Sequence, residues 1–210
     1  MLGATPVKLL YPTLGALAIL VVFMFLIGRQ NRDLLRVRAY RDFFLRLIPP
    51  LSTGVFIAGL PFVMNLATVE NYGPVLLVYL GGAAVLTALM TRSVTPDERR
   101  AGTAFRKGEY EEAANLYDEI SARRPLPRYY SALGASLDAS GNPGAALEAT
   151  DQAIKLDPKL GIAYYNRASA LVALDDRVRA RGDLQKVFQV DSSRTLRRAA
   201  AEALETLEKS

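Results

Sequence analysis

Few residues in this chain could act as nucleophiles, bases or metal ligands. There is no Cys, no His and no Trp among the 210 residues. The commonest general base and the commonest nucleophile–base pairs are therefore missing. Disulfides and sites built on thiolate or imidazole are excluded, and the lack of Cys leaves the redox compartment undecided. What remains is a handful of doublets. Asp175-Asp176 has the form of a paired carboxylate, but adjacent acids in a turn more often serve as helix caps. Arg123-Arg124 falls near a helix end, where positive charge meets the negative pole of the dipole. Tyr129-Tyr130 and Tyr164-Tyr165 each have at least one ring explained by packing. No phosphate-cradling Gly loop or metal-ligand spacing is visible. The expectation is a protein that is not an enzyme and carries no cofactor.

The densest charge lies elsewhere. Up to Thr91 there are seven bases (Lys8, Arg29, Arg32, Arg36, Arg38, Arg41 and Arg46) against three acids (Asp33, Asp42 and Glu70), a net charge of +4. The rest of the chain carries 19 bases and 18 acids, a net charge of +1. The sequence pI of 9.5 thus comes from one arginine-rich stretch. Within residues 30–48, Arg32, Arg36, Arg38, Arg41 and Arg46 alternate with Leu34, Leu35, Tyr40, Phe43, Phe44, Leu47 and Ile48. That texture predicts a basic helix lying in a membrane interface, its arginines on lipid phosphates. Pro49-Pro50 should end it. The plainer alternative is a charged elbow that only sets topology. Nucleic acid is not an expected partner.

Long uncharged runs flank this stretch. Residues 9–28, 51–69 and 74–91 each carry no charge, and about 20 helical residues cross a hydrocarbon core of ~30 Å. Residues 1–92 therefore read as a membrane domain of three spans. The first is longer than a signal-peptide core, and no small-x-small cleavage site follows it. Positive-inside bias puts the arginine loop in the cytoplasm, the N-terminus and Glu70 outside, and the C-terminal part in the cytoplasm. The expected location is a plasma membrane, such as a bacterial inner membrane. Small residues at Gly54, Ala58, Gly81 and Gly82 would let helices approach closely, within the chain or between copies.

After Pro96 the texture becomes mixed charge with a recurring Ala/Leu/Tyr pattern. Small residues stand twelve apart in three places: Ala101 and Ala113, Gly134 and Ala146, Ala168 and Ala180. Successive copies are offset by 33 and then 34 residues. Tyr130-x-x-Leu133-Gly134-x-x-Leu137, followed by Ala146, Ala153 and Pro158, resembles the tetratricopeptide repeat, W-x-x-L-G-x-x-Y with a later Ala and Pro. The third copy departs from that pattern, with Arg167 in place of Leu and Ser192 in place of Pro. A second reading of Arg167 is a contact with a partner. The expected fold is all-α: three N-terminal transmembrane helices, then over residues 94–210 a tetratricopeptide-like α-solenoid of about three helix pairs and a capping helix. The repeats would be 94–126, 127–160 and 161–194, with a cap at 194–208, since stacked repeats need their last apolar face covered.

The resemblance implies a concave groove lined by the first helix of each pair, binding a peptide or helix of another protein. Carried over by register, Phe105, Arg128, Ser131, Tyr165, Asn166 and Ser169 are its candidate contacts, and Glu98, Gly102, Arg106, Ala135, Asp138 and Val172 share the lining. The subclass that clamps a chaperone's C-terminal carboxylate uses Lys, Asn and Arg. Here Glu98, Gly102, Ala132 and Ile162 occupy those places, so that ligand is not expected. The function expected is a membrane-anchored scaffold or adaptor recruiting partner proteins. Its rival is a structural accessory subunit of a larger integral membrane complex, packed through its spans. Partners are proteins, membrane lipids and, under the rival reading, integral membrane subunits. A transporter is disfavoured because no charge lies within the spans.

Overall fold

The computed structural model of the chain describes residues 6–66, 71–91 and 96–209. Among these, every regular element is an α-helix. The chain divides into two compact units, Met1–Arg32 with Tyr40–Val94, and Asp33–Ala39 with Thr95–Ser210. The end of the second expected span (67–69), Glu70, Arg92 and the first positions of the first repeat (94–95) lie outside the described residues.

The first unit contains α1 (Pro6–Gln30), α3 (Tyr40–Leu66) and α4 (Tyr72–Thr91). Helix α3 packs against both of the others. Glycine makes those approaches possible. A Cβ on Gly54 would come within 2.4 Å of the Leu20 side chain of α1. On the other side, Gly59 leaves room for Tyr79 of α4, whose hydroxyl donates to the Phe56 carbonyl at 2.6 Å. Ala58, between them, is half-buried. Gly81 and Gly82 behave differently: both are exposed, and among the described residues nothing lies within 4 Å of where their Cβ atoms would be. They do not pack the helices of this unit together. Apolar side chains cover its outside, and Leu17, Phe25, Val55, Phe62, Leu77 and Val78 are each more than half exposed.

Two expectations for this region need correction. Pro49-Pro50 does not end a helix, because α3 runs through both prolines. A proline removes one donor and one carbonyl contact, and a helix whose faces are held on either side can carry that loss. The basic stretch is also not one helix over 30–48. A short α2 (Arg32–Arg36) stops where Arg38 adopts a left-handed φ of 58°. Bonds from Ala39 N to Leu34 O (2.8 Å) and Arg38 N to Leu35 O (3.2 Å) close that end. By length and composition, one helix among the described residues, Tyr40–Asn65, could cross a membrane. The shorter apolar stretches Leu20–Arg29 and Tyr72–Leu86 fall below that length over the described residues.

The second unit is a stack of helix pairs: α5 (Pro96–Lys107) with α6 (Tyr110–Arg123), α7 (Pro127–Ala139) with α8 (Pro143–Leu156), and α9 (Gly161–Ala173) with α10 (Arg177–Val190). Helix α11 (Arg194–Lys209) closes the end. Each pair turns in the same way. Gly108, Gly141 and Asp175 have φ of 83°, 84° and 59°, and the next amide of each bonds back five residues, to Ala104, Leu137 and Leu171. These bonds cap the first helix of each pair with a left-handed residue. The small residues sit where the paired helices touch. Ala101, Ala113, Ala146 and Ala180 are 0% exposed and Ala168 is 1% exposed. At Gly134 a Cβ would meet the Thr150 methyl at 2.4 Å and the Ala146 carbonyl at 3.1 Å. The last core combines Leu171, Leu184 and Val187 with Ala200 of α11, and Leu196, Ala203, Leu204 and Leu207 pack around it.

Candidate functional site

The first helices of the second and third pairs lie against each other, α7 on α9, and five of the six candidate groove residues lie on them, with Phe105 on α5. This unit holds a cleft of about 430 Å³, lined by Tyr165, Ala168, Ser169, Val172 and Ala173 of α9 together with Asp138, Leu184, Ala203, Thr206 and Leu207. Its floor is apolar. Its polar edge is made by Ser169, whose hydroxyl donates to the Asp138 carboxylate at 2.6 Å. A partner side chain could thus bury apolar surface against Val172 and Leu207 and meet a carboxylate and hydroxyls at the rim.

The six residues expected to contact a partner separate into different roles. Tyr165 and Ser169 line the cleft. Ser131 is 2% exposed, and Asn166 Nδ2 donates to both its carbonyl and its hydroxyl at 3.0 Å. That pair joins α7 to α9 from the inside. Phe105 is half-buried and meets the Tyr110 ring edge-on, with centroids 5.3 Å apart, at the turn of the first pair. Arg128 is engaged by the chain itself: its Nε and Nη2 donate to the two Asp33 oxygens at 2.8 and 2.7 Å. Three cleft residues on α11, Ala203, Thr206 and Leu207, were outside the sequence expectation, which assigned the apolar stripe of that helix to covering the last repeat.

The arginines expected at a membrane interface also separate. Arg36 forms an ion pair with Asp157 at 2.7 Å, within the repeat unit, so it is not left to face lipid. Arg32, Arg38 and Arg41 are exposed, while Arg46 is half-buried. Arg167 is corrected as well, since it is held by its own repeat and the one before it. It holds Asp183 through two bonds at 2.7 Å, reaches Asp151 at 2.6 Å, and lies over the Tyr164 ring. The hydrogen bonds to Asp183 raise the guanidinium pKa against the opposing effect of burial, so the charge is permanent. This clasp replaces the usual leucine contact with an ion pair.

Two phenols and one acid elsewhere in the repeat unit are shifted by their surroundings. Burial pushes the Tyr164 phenol above its usual range, and burial together with the Glu98 carboxylate does the same to Tyr117, against Arg106. Both stay neutral donors at physiological pH. The Asp176 carboxyl lies below its usual range, held down first by the Arg179 amide and then by its guanidinium. It is the N-cap of α10, accepting from Arg179 N at 3.0 Å. Asp175 occupies the left-handed turn and pairs with Arg177 at 3.3 Å, so the acid doublet caps a helix. Among the described residues no group of three acids, His or Cys could hold a metal ion.

No family model matches the chain. The first TPR domain of the human RPAP3 protein, solved by NMR, superposes with a TM-score of 0.50 at 19% identity, covering 54% of this chain and 87% of that one. The C-terminal half has the tetratricopeptide-repeat fold. A curated relative agrees: the TPR repeat-containing thioredoxin TTL4 of Arabidopsis thaliana is 33% identical over 143 residues, 66% of this chain. The chain spans 20% of that relative's length. The type III secretion chaperone SycD of Yersinia enterocolitica, in complex with a peptide of the translocator YopD, is also similar, with a TM-score of 0.49 at 18% identity over 53% of this chain and 89% of that one. The tetratricopeptide-repeat domain seen here has three helix pairs and a terminal helix, and its cleft lies between the last pair and that helix.

Proposed function

We propose that this chain is a membrane-anchored adaptor whose tetratricopeptide-repeat domain holds a segment of a partner protein. The observation that carries this reading is the open, apolar-floored cleft on α9 and α11. Its apolar lining with a few convergent polar groups is the composition by which binding clefts are recognised. In this reading the apolar helices α1, α3 and α4 sit in the bilayer, which gives their exposed leucines, valines and phenylalanines an apolar solvent. The exposed Arg32, Arg38 and Arg41 lie at the cytoplasmic headgroups, the N-terminus is outside and the repeat domain is in the cytoplasm. The partner enters as a helix or extended segment with an apolar anchor and a hydrogen-bond donor for Asp138. A chaperone-type carboxylate is not its natural ligand, because Glu98, Gly102, Ala132 and Ile162 stand where the clamp would be.

One observation favours the rival reading, a structural accessory subunit of an integral membrane complex. Gly81 and Gly82 on α4 are open, beside the strongly exposed Leu77 and Val78, and such a face suits another transmembrane helix. Purification of the full chain in mild detergent separates the two. The adaptor reading expects soluble partners that are lost when Tyr165 and Val172 are replaced by Asp. Stoichiometric membrane partners that survive those changes but are lost on Gly81→Leu/Gly82→Leu would overturn it. For orientation, protease added outside right-side-out cells should leave the C-terminal domain intact.

A further inference from the structure

The repeat unit includes seven residues from far away in the sequence, Asp33–Ala39. Asp33 is 8% exposed and Leu34 is 0% exposed, although both belong to an arginine-rich loop. Two crossed ion pairs hold this segment. Asp33 accepts the bidentate fork of Arg128, in the first turn of α7. Arg36 gives its own fork to Asp157, the 2%-exposed residue that ends α8, at 3.0 Å from Nε and 2.7 Å from Nη2. The other Asp157 oxygen accepts the Lys159 amide at 3.0 Å, so this acid is also held by its own turn. The repeat domain thus offers a cation and an anion at a set spacing. Residues 33–36, Asp-Leu-Leu-Arg, answer with an anion and a cation three residues apart on one helical turn.

We propose that residues 33–36 are an internal ligand of the tetratricopeptide-repeat domain, filling a two-charge receptor made by Arg128 and Asp157 that also fits a partner segment with the same order, an acid, leucine and then a base three positions on. Arg128 occupies a groove register, so the docked turn and a partner cannot both hold it. A helix of five residues has no independent stability in water, and the shape of this one comes from the docking. Tethering gives the internal turn an effective concentration of order millimolar, so a partner must bring further contacts to displace it. Displacement rests on the reading of the groove as a partner site, whereas the docking does not.

Hydrogen exchange followed by mass spectrometry on the full chain in detergent tests both parts. Peptides covering residues 33–39 should exchange slowly in the wild type. Arg128→Ala should speed them by about tenfold or more while peptides from α8 keep their protection. The charge exchange Asp33→Arg/Arg128→Asp should restore slow exchange where neither single change does. Equal exchange in the wild type and Arg128→Ala, or failure of the double change to restore it, would overturn the docking. A synthetic peptide of residues 31–40 in excess should speed exchange of the tethered segment, and one with the Asp33 and Arg36 positions exchanged should not. Should docking hold while neither peptide competes, displacement is wrong and the segment is a fixed part of the fold. Loss of partner capture alone would bear on the proposed function and leave this result unchanged.

Discussion

Arg167 shows how a repeat tolerates the loss of a consensus residue. The position normally carries leucine, and an arginine there would bury an unpaired charge. Asp183 sits opposite at 2.7 Å, 9% exposed, and Asp151 takes a further donor. Truncating one member of such a pair leaves the other without compensation, which costs more than the pair itself contributes. Arg167→Leu should therefore destabilise the domain by about 2–3 kcal/mol, less than a fully enclosed pair because the arginine is 24% exposed. Arg167→Leu/Asp183→Leu should recover most of that loss, and chemical denaturation of both variants checks it. Asp176 gives a pH-dependent counterpart. Its carboxyl is held below the usual range in the folded state, so its stabilising effect is present above the unfolded carboxylate pKa and is lost as pH falls through the folded one. The Tm difference between wild type and Asp176→Ala should be full at pH 7 and shrink toward pH 3. A difference that grew on acidification would contradict this. At this scale the sequence was readable where a residue repeats. Gly134 and Ala146, or the turn at Gly108, Gly141 and Asp175, declare themselves by period. Arg167 did not, because its explanation is a partner sixteen positions on; the signal that could have found it was a lone acid, Asp183, on the inner face of the next helix.

Among the elements, α11 carries the most weight. A tetratricopeptide-repeat stack cannot end on an uncovered apolar face, and Ala200 of α11 is 0% exposed in the core with Leu171, Leu184 and Val187. Ending the chain before Arg194 should expose that core, lower the unfolding midpoint and raise binding of an apolar dye. An unchanged midpoint would show that α11 is only an appendage. The cap and the three pairs were legible because apolar periodicity and small-residue spacing are local signals. The structure extends the role of α11 by giving it one wall of the cleft, and periodicity alone does not distinguish a helix that seals a core from one that also borders a groove. The basic stretch was the least legible. Its arginines alternate with apolar residues as an interfacial helix would, yet the break at Arg38 and the pairs from Asp33 to Arg128 and Arg36 to Asp157 depend on residues about 95 and 121 positions away. Contacts at that separation leave no periodic trace. Pro49-Pro50 misleads for a related reason, since whether α3 continues through them depends on the neighbours that hold it.

For the whole molecule, two surfaces need an environment. One is the apolar exterior of α1, α3 and α4, where Leu77 and Val78 are 74% and 76% exposed. The other is the cleft on the repeat domain. The adaptor reading gives the first to lipid and the second to a partner protein. These assignments can be separated experimentally, because changes at Gly81 and Gly82 address the first surface and changes at Tyr165 and Val172 address the second. The direct measurement of the central claim is photo-crosslinking in intact membranes, with a photoreactive amino acid placed at Tyr165 in the cleft or at Val178, which is 85% exposed in the first turn of α10. The adaptor account predicts a discrete crosslinked protein in the membrane fraction from position 165, absent from position 178 and abolished by Val172→Asp. Equal, diffuse crosslinking from both positions, or recovery of the chain in the soluble fraction, would contradict it.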